Sequence, residues 1–382
     1  MRLKRGVAVF CLLTTLWSWQ ELAGQSNAGA QLAWYGFIKL DSSWDEGLMD
    51  TGNFARWVLS EDLHEPHGHF SMTARQTRLG FRLASALGDA AITGKWEADF
   101  YGGGAENKNH LHVRHAYLEV AWPSGWSVLA GQTSDVISPL NPATVNYTVG
   151  WWAGNIGYRH PQIRITRSLP LRNEGSLTFQ AAAVRTVGTD FQASEPGDAG
   201  SESEVPGLQG LVGVNLPGED RAVSFGFFAH RGWEDLTWQI EDGERIPTWG
   251  WGSYLRATLG AVSLAGEGWD GSNLDDFLGG VGQGIRTDGP GLTGIRSRGG
   301  WSEVTIQAGP CAYHLGAAMD DPEAEDLPSG GRDRNSVFWG NVMRDLGGGL
   351  TAGLEVSRWK TEYLGMADGT SYRVQGALSF TF

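Results

Sequence analysis

The chain has 382 residues and a formal net charge of −14, from 29 Lys and Arg against 43 Asp and Glu, with only two cysteines. An acidic balance of that size argues against a nucleic-acid partner, and so few cysteines leave no disulfide framework.

The first element is an export signal. Arg2, Lys4 and Arg5 precede an apolar run from Gly6 to Trp17, and the small residues of "AGQSNAGA" follow. That order is a charged n-region, a short h-region and a cleavage zone. Cleavage is expected near Ala30, with Ala23–Gly24 as the other candidate, which divides the chain into a leader, 1–30, and a mature domain, 31–382. Losing the leader's net +2 makes the mature chain more acidic, and Cys11 leaves with it, so that Cys311 remains alone. Beyond the leader no stretch approaches the roughly 20 apolar residues of a membrane helix.

The rest alternates with period two. "RQTRLGFRL" sets Leu79, Phe81 and Leu83 against Gln76, Arg78 and Arg82, and "AITGKWEADF" sets Ile92, Trp96, Ala98 and Phe100 against Thr93, Lys95, Glu97 and Asp99. "RHPQIRITR" and "SLTFQAAAV" repeat the pattern, and the closing "SYRVQGALSFTF" places Tyr372, Val374, Leu378, Phe380 and Phe382 on one face. These are strands with one apolar and one polar face. Sixteen are expected. In order they lie at about Ala33–Ser43, Thr73–Ala84, Ala90–Tyr101, His110–Ala121, Trp126–Thr133, His160–Ser168, Gly175–Val187 and Gly207–Leu216. The second eight lie at about Ala222–Arg231, Thr248–Leu259, Val262–Asp270, Leu292–Ile306, Gly309–Asp320, Arg334–Asp345, Leu350–Tyr363 and Ser371–Phe382.

Spacing selects a barrel over a soluble sandwich. Long, acidic insertions (Glu46–Gly68, Ala193–Val205, Trp233–Pro247, Gly271–Gly289, Asp320–Arg334) alternate with tight connections such as Ala86–Asp89, Pro123–Gly125, Pro217–Asp220 and Gly347–Gly349. Long external loops at one end and short periplasmic turns at the other characterise outer-membrane barrels. Abundant Gly (56) and Trp (18) fit that class. Trp34, Tyr35, Trp96, Trp122, Trp126, Tyr372, Phe380 and Phe382 fall near strand ends, where interfacial girdles belong. The fold class expected is therefore all-β, a transmembrane antiparallel β-barrel.

"WYGFIKLDSSWD", "ARQTRLGFRL", "GKWEADFYGG", "HVRHAYLEV" with "VLAGQTSDVISP", and the tail "EVSRWKTEY…VQGALSFTF" together resemble the DcaP-like outer-membrane porins of Gram-negative bacteria. The resemblance is strongest over Trp34–Arg167 and returns in the last thirty or so residues. It implies a 16-stranded barrel, typically a homotrimer, that passes small and often anionic solutes such as dicarboxylates. The acidic loops here depart from the family's pattern, which leaves the solute open. The terminal aromatic strand (Tyr372, Leu378, Phe380, Phe382) resembles the signal read by the barrel assembly machinery.

In a porin the residues that matter face the lumen. Alternation over the first six strands places Lys39, Arg78, Arg82, Lys95, Arg114 and Arg164 inward, with Asp41, Glu97 and Asp99. Guanidinium groups stay charged and can draw an anion through a polar channel; the alternative is that these charges only neutralise one another. The connection "SDVISPLNPATVNYTVGWWAGNIGYRHP" resembles the inward loop that narrows porin channels, with Pro139, Asn141 and Pro142 marking turns and Trp151 and Trp152 lining or plugging the constriction. His64, His67 and His69, and His110 with His112, have spacings that can hold Zn²⁺, although an acidic loop that happens to carry histidines is the simpler account. The acidic segments Glu195–Glu204 and Asp320–Asp326 leave a similar choice between divalent cations bridging lipopolysaccharide and plain solubility. No G-x-S-x-G or H-E-x-x-H motif is present, so catalysis is not expected. No cofactor is expected either. A barrel enzyme of the phospholipase or protease type, or a non-conducting structural barrel, remains the alternative.

Overall fold

In the computed structural model the described residues are 29–50, 52–103, 107–187, 199–237, 242–289 and 291–382, so the charged and apolar parts of the expected leader, and Glu195, lie outside them. The described residues form one closed antiparallel barrel of sixteen strands. They are β1 (Gln31–Asp45), β2 (His69–Thr73 and Arg78–Leu87), β3 (Ala90–Asp99), β4 (His112–Ala121), β5 (Trp126–Ser134), β6 (Arg159–Pro170), β7 (Ser176–Val184) and β8 (Gly207–Leu216). The circuit continues with β9 (Arg221–Asp235), β10 (Arg245–Leu259), β11 (Val262–Ser272), β12 (Arg296–Ala308), β13 (Cys311–Pro322), β14 (Arg332–Gly347), β15 (Leu350–Tyr363) and β16 (Met366–Thr381). Both pieces of β2 pair with β1, and β16 closes the circuit on β1 from Phe37↔Thr381 to Asp45↔Arg373.

Polarity is inverted relative to a soluble core. Ile38, Leu118, Ile163, Phe227, Leu315, Phe338 and Leu354 stand exposed on the outer face, Leu315 to 71%. Lys39, Asp41, Glu97, Asp99, Arg114, Glu267, Glu303, Glu355, Arg373 and Gln375 are buried inside. A continuous apolar exterior of this extent is stable in lipid and not in water. Trp34, Trp122, Trp126, Phe380 and Phe382 are exposed on it, as girdle residues are. Tyr35 is a correction: alternation with Trp34 turns it inward, where its hydroxyl donates to Glu97 at 2.9 Å.

Turn chemistry separates the two ends. The connections at 260–261 and 309–310 are two residues long, with Gly260 at φ 57° and Gly309 at φ 62°, a left-handed conformation that fits tight hairpins. At the other end, 46–68, 100–111, 135–158, 185–206 and 273–295 are long. The stretch Gly271–Gly289, expected outside, instead re-enters the barrel, because its acids are interleaved with Leu274, Phe277, Leu278 and Val281, all buried. β12 consequently begins at Arg296 rather than Leu292, since Thr293–Gly294 pair with Ile285–Arg286 in a small hairpin.

Candidate functional site

The lumen is shaped by the segment 135–158, which leaves β5, crosses the interior and docks on the far wall. Three glutamates on that wall receive its backbone. Glu267 on β11 accepts from the Leu140 amide (2.7 Å) and from the Ser138 hydroxyl. Glu303 on β12 accepts from the Ala143 amide at 3.0 Å, and Glu355 on β15 from the Val145 amide at 2.8 Å. Asn341 Nδ2 on β14 donates both to the Ala143 carbonyl (2.9 Å) and to Glu355 (3.0 Å), and Lys39 Nζ donates to the Val145 carbonyl at 2.5 Å. Further along, Trp269 Nε1 donates to the Gly154 carbonyl at 2.6 Å and Asn335 Nδ2 to that of Trp152 at 2.8 Å. Gly154 (φ 116°) is required where it stands, because a Cβ there would meet the Gly300 carbonyl at 2.2 Å. An irregular backbone held at membrane depth needs its polar groups satisfied by protein or by the water of a lumen. Here the wall carboxylates do it.

Two other connections join this loop. The Val58 amide donates to Thr361 Oγ1 at 2.9 Å, and the Val281 amide to Asp320 Oδ2 at 3.0 Å. Between them Trp57, Trp151, Trp152, Leu278 and Val281 form an apolar cluster, with Phe54, Tyr147 and Tyr158 packed on it. Trp151 and Trp152 thereby pack the loops against one another. Pro139 and Asn141 are exposed and Pro142 is half-buried, and Asn141 Oδ1 accepts from Asn155 Nδ2 at 3.1 Å.

The opposite wall carries the cations. Lys39 lies 3.0 Å from Asp41, which also accepts from Gln375 Nε2 at 3.0 Å. Glu97 is the hub of the next group, with Arg114 Nε at 3.0 Å, Lys95 Nζ at 3.2 Å and Arg78 at 3.6 Å. Arg114 also reaches Asp99 at 2.8 Å. A bulge creates this arrangement. Pairing steps from Glu97↔His115 to Ala98↔Val113, leaving Arg114 without an opposite residue, so Arg114 and His115 both turn inward. Arg82 differs: it is exposed to the lumen, its guanidinium stacks 4.6 Å over Tyr35, and it has no carboxylate partner among the described residues. Arg164 is bonded to Gln162 Oε1 (3.0 Å) and the Ser134 carbonyl, likewise without a carboxylate. Arg256 on β10 also faces inward, by its pairing with the buried Ala265.

The histidines do not converge. His64 and His67 are exposed, His69 lies 3.5 Å from Asp45, and His112 bonds Asp99 at 3.1 Å. No group of three or more His, Cys, Asp or Glu with metal-holding geometry occurs among the described residues. The acids of Asp320–Asp326 are engaged by protein groups: Asp321 by Arg334 (2.9 Å) and Arg298 (3.3 Å), Asp326 by Arg296 (2.7 Å). At the barrel seam, Phe382 exchanges backbone hydrogen bonds with Gly36, 3.1 Å each way, while Tyr372, Leu378 and Phe380 are exposed on the outer face.

No family model matches the chain, and no curated protein matches it. Solved structures do. The outer membrane channel DcaP of Acinetobacter baumannii superposes with a TM-score of 0.75 at 18% identity, over 94% of this chain and 100% of that one. The anion-selective porin from Comamonas acidovorans gives 0.58 at 12% identity, over 92% and 100%. The trimer form of OmpT of Vibrio cholerae gives 0.56 at 10%, over 93% and 100%. The chain thus has the DcaP-like form of the outer-membrane porin fold, a closed barrel of sixteen antiparallel strands.

Proposed function

We propose that the protein is an outer-membrane porin, a water-filled channel for passive diffusion of small hydrophilic solutes, with anionic, dicarboxylate-like ones favoured. The observation that carries this reading is the pairing of an inward loop, anchored on glutamates, with a facing wall on which Arg82 and Arg164 lack a carboxylate partner. Such cations hold an anion weakly enough to let it leave again, which conduction requires. The chain is read as a homotrimer, as the trimer form of OmpT is, in contact with outer-membrane lipid and lipopolysaccharide. Planar-bilayer recording of the purified protein tests both points. Insertions are expected to conduct and to close in three equal steps. A barrel that inserts without conducting overturns the channel and leaves a structural barrel, and single-step closure overturns the trimer.

The last strand is also read as an assembly tag, recognised by the barrel assembly machinery through Tyr372, Leu378, Phe380 and Phe382. Phe382 supports this twice, by its exposed ring and by its hydrogen bonds to Gly36 across the seam. Phe382→Ser keeps those backbone bonds and removes the ring, so a drop in membrane-inserted barrel isolates the tag. Deleting Phe382 should be worse. Undiminished heat-modifiable barrel in the Phe382→Ser membrane fraction would sink the reading.

A further inference from the structure

We propose that the outer wall around β13–β15 binds one phosphate-bearing lipid of the outer leaflet, with an acyl chain in a wall groove and the phosphate on Arg358. This rests on the reading of the chain as an outer-membrane barrel. The groove has a volume of about 510 Å³. Its floor is low because Ser302, Ala317 and Gly340 occupy outward positions there, and Leu315, Phe338 and Val356 rise beside it. The cross-strand register Ala317↔Phe338↔Arg358↔Tyr372 sets Arg358 at its margin.

Arg358 is the anomaly. It is exposed on the lipid side of the wall, between Val356 and Lys360 on the same face, with the Tyr372 ring 6.0 Å away. Neighbouring outward cations are already neutralised. Lys360 sits 2.8 Å from Glu362 and 2.9 Å from Asp368, and Arg334 sits 2.9 Å from Asp321. Arg358 has no carboxylate partner among the described residues. Its position on β15, eight residues up from Leu350, puts it roughly 20 Å above the short-turn end for a tilted strand, inside an apolar band about 25 Å tall. A lone guanidinium at that depth needs an anion. The anion available at the long-loop margin of a bilayer is a lipid phosphate, and guanidinium binds phosphate in two-pronged fashion. The groove beneath supplies the apolar half of the same ligand.

Native mass spectrometry of the detergent-purified full chain, titrated with diphosphorylated lipid A, tests this. Wild type should hold one lipid A per barrel, and lipid A stripped of phosphate should bind far more weakly. Arg358→Ala should weaken lipid A binding roughly tenfold, Arg358→Lys should restore part of it, and Ala317→Leu should block the groove while leaving the charge. Equal binding by wild type and Arg358→Ala, or indifference to the phosphate, overturns the proposal. Loss of subunit association in Arg358→Ala without loss of lipid also overturns it, and makes the groove a contact between copies. Channel conductance of these variants is expected to be unchanged, so failure of the lipid site and failure of the porin reading are separately visible.

Discussion

Replacing Glu267, Glu303 and Glu355 together by alanine is expected to raise single-channel conductance, because it frees the loop 135–158 from the wall. The three carboxylates hold the amides of Leu140, Ala143 and Val145 and the hydroxyl of Ser138. A hydrogen bond contributes about 0.5–1.5 kcal/mol net, and leaving a buried donor unsatisfied costs about 1–3 kcal/mol. Removing three acceptors leaves amides that are satisfied only by moving into lumen water. The expected gain is roughly twofold in conductance, since a narrow polar constriction dominates the resistance of a pore. The triple glutamine variant separates charge from hydrogen bonding. Its amide oxygens still accept from the loop, so conductance should stay near wild type. Heat-modifiable migration must show a folded barrel in each case. An alanine variant that is folded and conducts as wild type would show that Trp269, Asn335 and the aromatic cluster suffice to hold the loop.

These anchors illustrate what the sequence conceals. Alternation exposes a strand's two faces, and it places β8 at Gly207–Leu216 and β15 at Leu350–Tyr363, the bounds that hydrogen bonding gives. Most other strands run further than expected at the long-loop end, as β1, β9 and β10 do, because pairing continues beyond the apolar belt that defines the pattern. The glutamate anchors span 127 to 210 residues of sequence. No local pattern encodes such a pairing. A signal was nevertheless present: Glu267, Glu303 and Glu355 each occupy an inward position flanked by apolar or small outward residues in "LAGEGW", "WSEVTI" and "LEVSRW", with no cation beside them on the strand. Inward acids without a neighbouring cation call for a donor from elsewhere. Likewise the bulge at Arg114 breaks the very periodicity used to assign faces, so that His115 was left out of the inward set.

Selectivity is where the chain's overall charge and its near field disagree. The net charge of −14 taken by itself favours cations, yet charges in solvated loops are screened over about 8 Å at physiological salt. Charges on the wall act within a few ångströms of the solute. The geometry sorts them into two classes. Arg114, Arg78 and Lys95 share Glu97 and Asp99, and Lys39 is held by Asp41. Arg82 has no carboxylate partner among the described residues, and Arg164 forms no ion pair although Asp135 and Glu119 lie near enough to offset part of its charge, so these two project the least-cancelled positive field into the lumen. Under a KCl gradient the wild-type reversal potential is therefore expected to indicate chloride over potassium. Arg82→Ala with Arg164→Ala should remove roughly half of that potential or more with the barrel intact, because neither side chain neutralises a buried carboxylate and the bonds lost are those of Arg164 to Gln162 and the Ser134 carbonyl. Arg78→Ala with Arg114→Ala should also move it toward zero, but at a cost in stability of about 3–5 kcal/mol, the penalty for leaving buried carboxylates unpaired. Thermal unfolding followed alongside the recordings distinguishes the two pairs. A cation-selective wild type, or an Arg82/Arg164 pair whose removal leaves the reversal potential unmoved, would place the selective field on the loops or on β7–β16 instead.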